Sequence, residues 1–242
     1  MPRKQTQAAR EEETVLDTTL LDFHYPYEEE TRLPAKVTAT QLKGRVPDEE
    51  IAEQTVRIPK LRPLTQPRFR QERKGLTSAE RGTATHLVLE HLDFSNRDVA
   101  AQVEALRTRQ LLTKEQAEAV DCGMLERFLA SSLAEEIRRG ENVLREYRFT
   151  LLMPAGKYDF RASSEDTILL QGIVDCCFET VQGITVVDFK TDHVYTEKDI
   201  AQRAEHYRPQ LEAYSHALEQ VLEKPVFRRV VYFLESGRAV EV

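Results

Sequence analysis

The spacing of apolar positions changes along the chain, and the changes mark out its elements. Residues 1–15 are charged and aperiodic, which predicts disorder or a frayed helix. The stretch "LLDFHYPYEEETRLPAKVTATQLKG" carries aromatic and apolar residues without a sustained period. It predicts an extended arm leading into a short helix capped by Thr38 or Thr40. Pro59, Pro63 and Pro67 exclude a continuous helix or strand over 57–75. Helical spacing then begins. Thr77 or Ser78 serves as cap, Glu80 lies in the first turn, and Leu87, Leu89 and Leu92 supply apolar faces. Gly82 inside this helix costs about 1 kcal/mol relative to Ala and marks a close approach by backbone or ligand. Further helices are predicted over 97–109, 113–120 and 121–139, the last ending at Gly140.

The period switches to two in "VLREYRFTLLM", a strand over 143–153. Residues 168–178 and 183–190 read as a hairpin around a Gln-Gly turn. Residues 197–224 return to helical spacing, with Pro209 expected to break or kink the helix near its middle. "VFRRVVYFLESGRAVEV" closes as one or two strands. Helices, strands, a helix and a final strand predict an α/β fold, a central mixed sheet flanked by helices on both faces. The N-terminal part of that fold is helical and is preceded by the extended arm.

A length of 242 residues suits one domain with extensions, here an arm and linker over 1–75 and the main domain over 76–242. The net charge of −7 and the lack of a long apolar run predict a soluble protein with no membrane partner. The N-terminus has no apolar signal segment. Cys122, Cys176 and Cys177 have no metal-motif spacing and read as reduced cytoplasmic thiols. Adjacent Cys176 and Cys177 should point to opposite sheet faces. Residues 57–74 hold seven Lys or Arg against one Glu, including Arg68, Arg70 and Lys74. That stretch suits a phosphate backbone despite the acidic total, or else a solvated linker.

The hairpin carries the chemistry. Asp175 and Asp188 interrupt its apolar strands, and Lys190 follows two residues after Asp188. Carboxylates in a core strand are costly unless paired or bound to a metal. Neighbouring strands lie about 4.8 Å apart, so both aspartates can reach one cation. Oxygen ligands suit Mg²⁺ or Mn²⁺. Lys190 falls on the same face and could orient or deprotonate a water. The bland alternative is a solvent-facing Asp–Lys ion pair, which the apolar string "ITVVDFK" disfavours.

Residues elsewhere extend the pattern. Gly82 to His86 gives G-x-x-x-H on a helix, and Gly172 to Asp175 gives G-x-x-D. Asp188 to Lys190 gives D-x-K, and Gln210 to Tyr214 gives Q-x-x-x-Y. In this order the motifs resemble the RecB-like branch of the PD-(D/E)XK nucleases, whose fold is restriction-endonuclease-like. The strings "YPYEEETRLPAKVTATQLK", "GLTSAERGTATH" and "VVDFKTDHV" look closest to the C-terminal nuclease domains of AddA-type helicase–nuclease subunits. The resemblance covers roughly residues 20–240.

The resemblance implies a metal-dependent deoxyribonuclease, an exonuclease cutting single-stranded DNA unwound by an attached helicase during double-strand break processing and recombination. It implies an AddB-like partner protein and a bacterial cytoplasm. It further implies that His86, Asp175, Asp188 and the backbone carbonyl of Phe189 hold Mg²⁺ or Mn²⁺. Lys190 would position water, with Gln210 and Tyr214 holding Lys190 and the scissile phosphate. Glu90, Glu146, Arg148, Thr191 and Asp192 are candidate supporting groups. Relatives with an iron–sulfur cluster carry four cysteines; three are present here, so no cluster is expected. The competing readings are an inactive DNA- or partner-binding module of the same fold, and a stand-alone nuclease. The first would have lost a ligand or the lysine, and none is lost.

Overall fold

The structure is a computed structural model and describes residues 31, 33–43, 75–158 and 165–242. Its centre is a mixed sheet of six strands. The strands are β1 (Lys36–Thr38), β2 (Glu141–Pro154), β3 (Thr167–Thr180), β4 (Gly183–Lys190), β5 (Val226–Phe233) and β6 (Arg238–Glu241). The helices are α1 (Ser78–His91), α2 (Val99–Thr108), α3 (Lys114–Ala119), α4 (Cys122–Leu129), α5 (Ser132–Arg139) and α6 (Glu197–Leu222). Long β3 organises the sheet. β2 lies antiparallel along it from Pro154↔Thr167 to Glu141↔Glu179. β1 pairs parallel to it at Leu169–Gln171, and β4 pairs antiparallel at Cys176–Thr180. β4 then continues parallel to β5, which forms a terminal hairpin with β6.

Helices α1–α5 cover one face. Their core joins Val88, Leu92, Phe128 and Ile137 to Cys176, Phe178, Val187, Phe189, Val230 and Tyr232 from the sheet. Helix α6 covers the other face through Tyr214, Ala217 and Leu218 against Leu170, Cys177 and Val186, and through Tyr207 and Leu211 against Val231 and Phe233. Cys176 and Cys177 thus enter opposite cores, as the alternation requires. All three cysteines are free, and burial pushes the Cys176 and Cys177 thiols up to about 12, so they act as packing groups.

Local chemistry sets the element ends. Thr77 caps α1, accepting from Glu80 N–H at 3.2 Å while Glu80 returns a bond from Thr77 N–H at 2.8 Å. Thr38 and Gln41 exchange the same bonds at the 3₁₀ turn Ala39–Lys43. The segment expected as an arm therefore contributes β1 and this turn to the sheet edge. Two expectations differ from the structure in detail. The helix expected over 121–139 is two helices, because Ser131 caps a new one by accepting from Ala134 N–H. Pro209 breaks nothing: α6 runs through it from Glu197 to Leu222. The proline forfeits one backbone bond, and burial of Tyr207, Gln210 and Leu211 around it keeps the helix whole.

Gly172 is paired with Phe149 across the β2–β3 ladder. A Cβ there would lie 2.5 Å from Phe149 Cζ and 3.2 Å from Ala39 Cβ. The missing side chain lets the Phe149 ring cross the strand and meet Tyr214 edge-on, with centroids 5.9 Å apart. Gly172→Ala overpacks this contact and should destabilise the domain by about 1–3 kcal/mol. Denaturant unfolding checks it, and unchanged stability would show that the ring moves aside freely.

Candidate active site

The hairpin opens at its two aspartates. The β3–β4 ladder runs from Thr180↔Gly183 to Cys176↔Val187 and stops, one step before Asp175 would face Asp188. The opposite edge of β4 stays paired with β5 from Ile184 to Lys190, Asp188 opposite Val231 and Lys190 opposite Phe233. The freed N–H of Phe189 donates instead to Asp175 Oδ2 at 2.8 Å. The Phe189 side chain fixes this divergence. Its ring packs edge-on to Phe128 at 5.0 Å in the α1–α5 core, which turns Asp188 and Lys190 toward α6.

Two further elements deliver side chains to Asp175. His86 on α1 places Nδ1 3.6 Å from Asp175 Oδ1 and 3.8 Å from Glu146 Oε1. Glu146 sits in β2 between the pairs Arg145↔Cys176 and Tyr147↔Val174, and so faces Asp175. Its φ of 47° is left-handed inside a strand, a costly conformation for a non-glycine residue. Arg145 locks α1 to β2 beside it. Its Nη1 donates to the carbonyls of Leu89, Glu90 and Leu92 at the end of α1, and its guanidinium lies 4.3 Å from the Phe94 ring centroid. His86, Glu146 and Asp175 each offer a ligand atom, all within 4.8 Å of one another.

Asp188 is fully buried. Lys190 Nζ lies 3.0 Å from its Oδ2, yet neither Asp188 oxygen accepts a well-formed hydrogen bond among the described residues. A buried carboxylate left without a well-formed hydrogen bond fits a cation ligand. Gln210 donates to the Tyr214 hydroxyl, leaving Gln210 Oε1 without a partner among the described residues. Burial raises the Tyr214 pKa well above its usual value, and Asp188 and Asp175 add to that shift, so the hydroxyl stays protonated beside both aspartates. Burial alone would lower the His86 pKa, but Asp175 and Glu146 overcome it and lift it to about 9. Burial and Asp188 push Asp175 up to about 6 against the pull of His86 and Lys190.

A family profile for the PD-(D/E)XK nuclease superfamily matches residues 53–241. The chain belongs to that superfamily. It is 37% identical over 224 residues to the A subunit of the ATP-dependent helicase/nuclease of Acetivibrio thermocellus, covering 90% of this chain and 18% of the relative. It is 35% identical over 227 residues to the same-named protein of Ruminiclostridium cellulolyticum, 92% of this chain and 18% of the relative. Against that of Bacillus cereus strain G9842 it is 36% identical over 252 residues, 98% of this chain and 20% of the relative. The chain thus spans about a fifth of the length of these curated relatives. PD-(D/E)XK nucleases generally depend on a divalent metal, and the His86, Glu146 and Asp175 donors suit one.

The remaining candidates are placed unevenly. Glu90 lies 3.9 Å from His91 rather than among the converging donors. Asp192 accepts from Arg203 and Tyr207. Arg148 is exposed on β2, and Thr191 is half-buried directly after the end of β4. Arg68, Arg70 and Lys74 lie outside the described residues, as does the whole basic stretch 57–74. Tyr207 was not singled out from sequence, yet Lys190 Nζ lies 4.7 Å from its ring centroid. The signal was available: Tyr207, Gln210 and Tyr214 recur at helical spacing along one face of α6.

Two outcomes follow from this geometry. Asp188 faces a buried ammonium as well as a carboxylate, so its loss strands Lys190 rather than simply relieving repulsion. Asp188→Ala should destabilise the metal-free domain by about 3 kcal/mol, and adding Lys190→Met should recover part of that. Denaturant unfolding of both variants tests this, and a metal-free Asp188→Ala as stable as the parent would refute it. Protons on His86 and Asp175 compete with a cation. Divalent-cation affinity should therefore climb as pH rises from about 6 to about 9, with about one proton released per ion near pH 7. Calorimetry in buffers of differing ionisation enthalpy measures that release; a pH-independent affinity would contradict it.

Proposed function

We propose that this chain is the nuclease domain of an AddA-type helicase–nuclease, hydrolysing phosphodiester bonds of single-stranded DNA with Mg²⁺, or Mn²⁺ in its place. It acts as an exonuclease in the bacterial cytoplasm on strands unwound by the motor region of the longer protein. An AddB-like partner completes the assembly for double-strand break processing and recombination. The observation that carries the reading is the meeting of His86, Glu146 and Asp175 beside the buried Asp188–Lys190 pair, where β4 leaves β3. The similarity to the helicase/nuclease relatives supports the wider setting.

Hydrolysis needs an attacking water in line with the leaving ester oxygen, relief of charge on the phosphoryl oxygens, and a proton for the leaving group. A cation held by His86, Glu146, Asp175 and Asp188 would supply the charge relief and acidify a bound water. The Phe189 carbonyl is a further candidate ligand. Lys190, held beside Asp188, donates a hydrogen bond to the attacking water and orients it. Tyr214 accepts from Gln210 and keeps its own proton to donate toward the phosphate. The attacking water gives up a proton to solvent and its oxygen bonds to phosphorus as the P–O ester bond breaks, and the leaving alkoxide takes up a proton from solvent water.

Single-turnover cleavage of single-stranded DNA tests this. The parent chain should cut with Mg²⁺ and stop on chelation. Lys190→Ala should lose about 10²–10⁴-fold in rate while still binding cation, whereas Asp188→Ala should lose cleavage and cation affinity together. Cleavage by Lys190→Ala at the parent rate would sink the mechanism.

A further inference from the structure

We infer that Tyr207 is a positioning residue for Lys190, acting through the face of its ring. The proposal rests on the nuclease reading, in which Lys190 orients the attacking water. Lysine is a point charge on a flexible four-carbon stem, so an ion pair at one end restrains its ammonium only partly. Asp188 Oδ2 stands on one side of Nζ at 3.0 Å, and the Tyr207 ring centroid stands 4.7 Å away. Lys190 and Tyr207 are both buried, and a cation–π contact gains strength where water is excluded. The ring face attracts the ammonium without demanding a particular N–H direction. It fixes where Nζ sits and leaves N–H groups for Asp188 and water.

The ring is itself held from several sides. Tyr207 Oη donates to Asp192, lying 2.9 Å from Oδ2 and 3.1 Å from Oδ1. Asp192 also accepts from Arg203 Nε at 2.7 Å. The Arg203 guanidinium lies 5.3 Å from the same ring centroid, and Phe233, the β5 neighbour of Lys190, packs against it at 6.5 Å. Asp192 thus acts at one remove: it anchors the hydroxyl, the hydroxyl sets the ring, and the ring sets the lysine. Asp188, Lys190 and Asp192 continue one alternation along and past β4, so the strand that supplies the ammonium also supplies the anchor of its support.

The test replaces Tyr207 by phenylalanine and then by mono-, di- and trifluorophenylalanine in the full chain. Fluorine drains the ring face of negative potential at nearly constant size. Single-turnover cleavage of single-stranded DNA at saturating Mg²⁺ should fall with each fluorine, by about 10- to 30-fold across the series, and Tyr207→Leu should fall at least as far. Mg²⁺ affinity and melting temperature should hold steady across the fluorinated set, which a purely structural role would not explain. Lys190→Ala runs alongside. If it is inactive while the fluorinated series is flat, the positioning proposal fails and the nuclease reading stands. If it cleaves like the parent, the nuclease reading fails first. A measurement independent of cleavage secures the contact: the Lys190 ε-methylene protons should be shifted upfield by the ring and return to ordinary values in Tyr207→Leu. Ordinary values in the parent protein would overturn the proposal.

Discussion

The site depends on a strand that parts from its neighbour at the right residue. β4 keeps β5 on one edge from Ile184 to Lys190, but on its other edge it pairs with β3 only as far as Val187. At the fork, a backbone N–H that the ladder would have used is taken by the Asp175 carboxylate. That bond satisfies a buried donor, fixes the half-buried Asp175 carboxylate, and keeps the gap open. Because the sheet is open there, side chains from both covering layers can meet. His86 comes from α1 on one face, while Lys190 faces Tyr207 of α6 on the other. A closed hairpin would have kept those layers apart.

Aromatic packing holds the opening in place. Phe189 lies between the two charged residues of its strand and points away from both, into a cluster with Phe128 and Tyr232. Burying that ring anchors the strand while its neighbours stay polar. Phe149 plays the matching part on the α6 side, crossing Gly172 to meet Tyr214. Arg145 ties the end of α1 to β2 and so sets the distance between His86 and Glu146. Burial and the neighbouring Asp188 disfavour charge on Asp175, as its raised pKa records, whereas the raised pKa of His86 records its attraction to Asp175 and Glu146. The surrounding apolar contacts are what hold them together.

Sequence periodicity made the hairpin, α1 and α6 legible, because each has a strong period and clear ends. Asp175, Asp188 and Lys190 stood out for the same reason: charge in an apolar strand needs an explanation. What stayed hidden depends on register and backbone twist. Glu146 looks like any polar position of an alternating strand, so the sequence offered it only as a supporting group; its place opposite Asp175 and beside His86 makes it a candidate ligand. Tyr207 looks like a core aromatic, and its partner Lys190 is distant in sequence. Pro209 does not break α6, because the packing of Tyr207, Gln210 and Leu211 on either side outweighs the local backbone preference. The split between α4 and α5 rests on one serine cap that the apolar spacing does not mark.

The central claim is that four side chains from α1, β2, β3 and β4 form one cation site at the fork. Manganese gives the most direct test, since its anomalous scattering locates the ion without reference to activity. Crystals of the protein grown with Mn²⁺ should show a strong anomalous peak within coordination distance of His86, Glu146, Asp175 and Asp188, close to the about 2.0–2.2 Å typical of oxygen and nitrogen ligands. A peak elsewhere, or none at this fork at saturating Mn²⁺, would contradict the account.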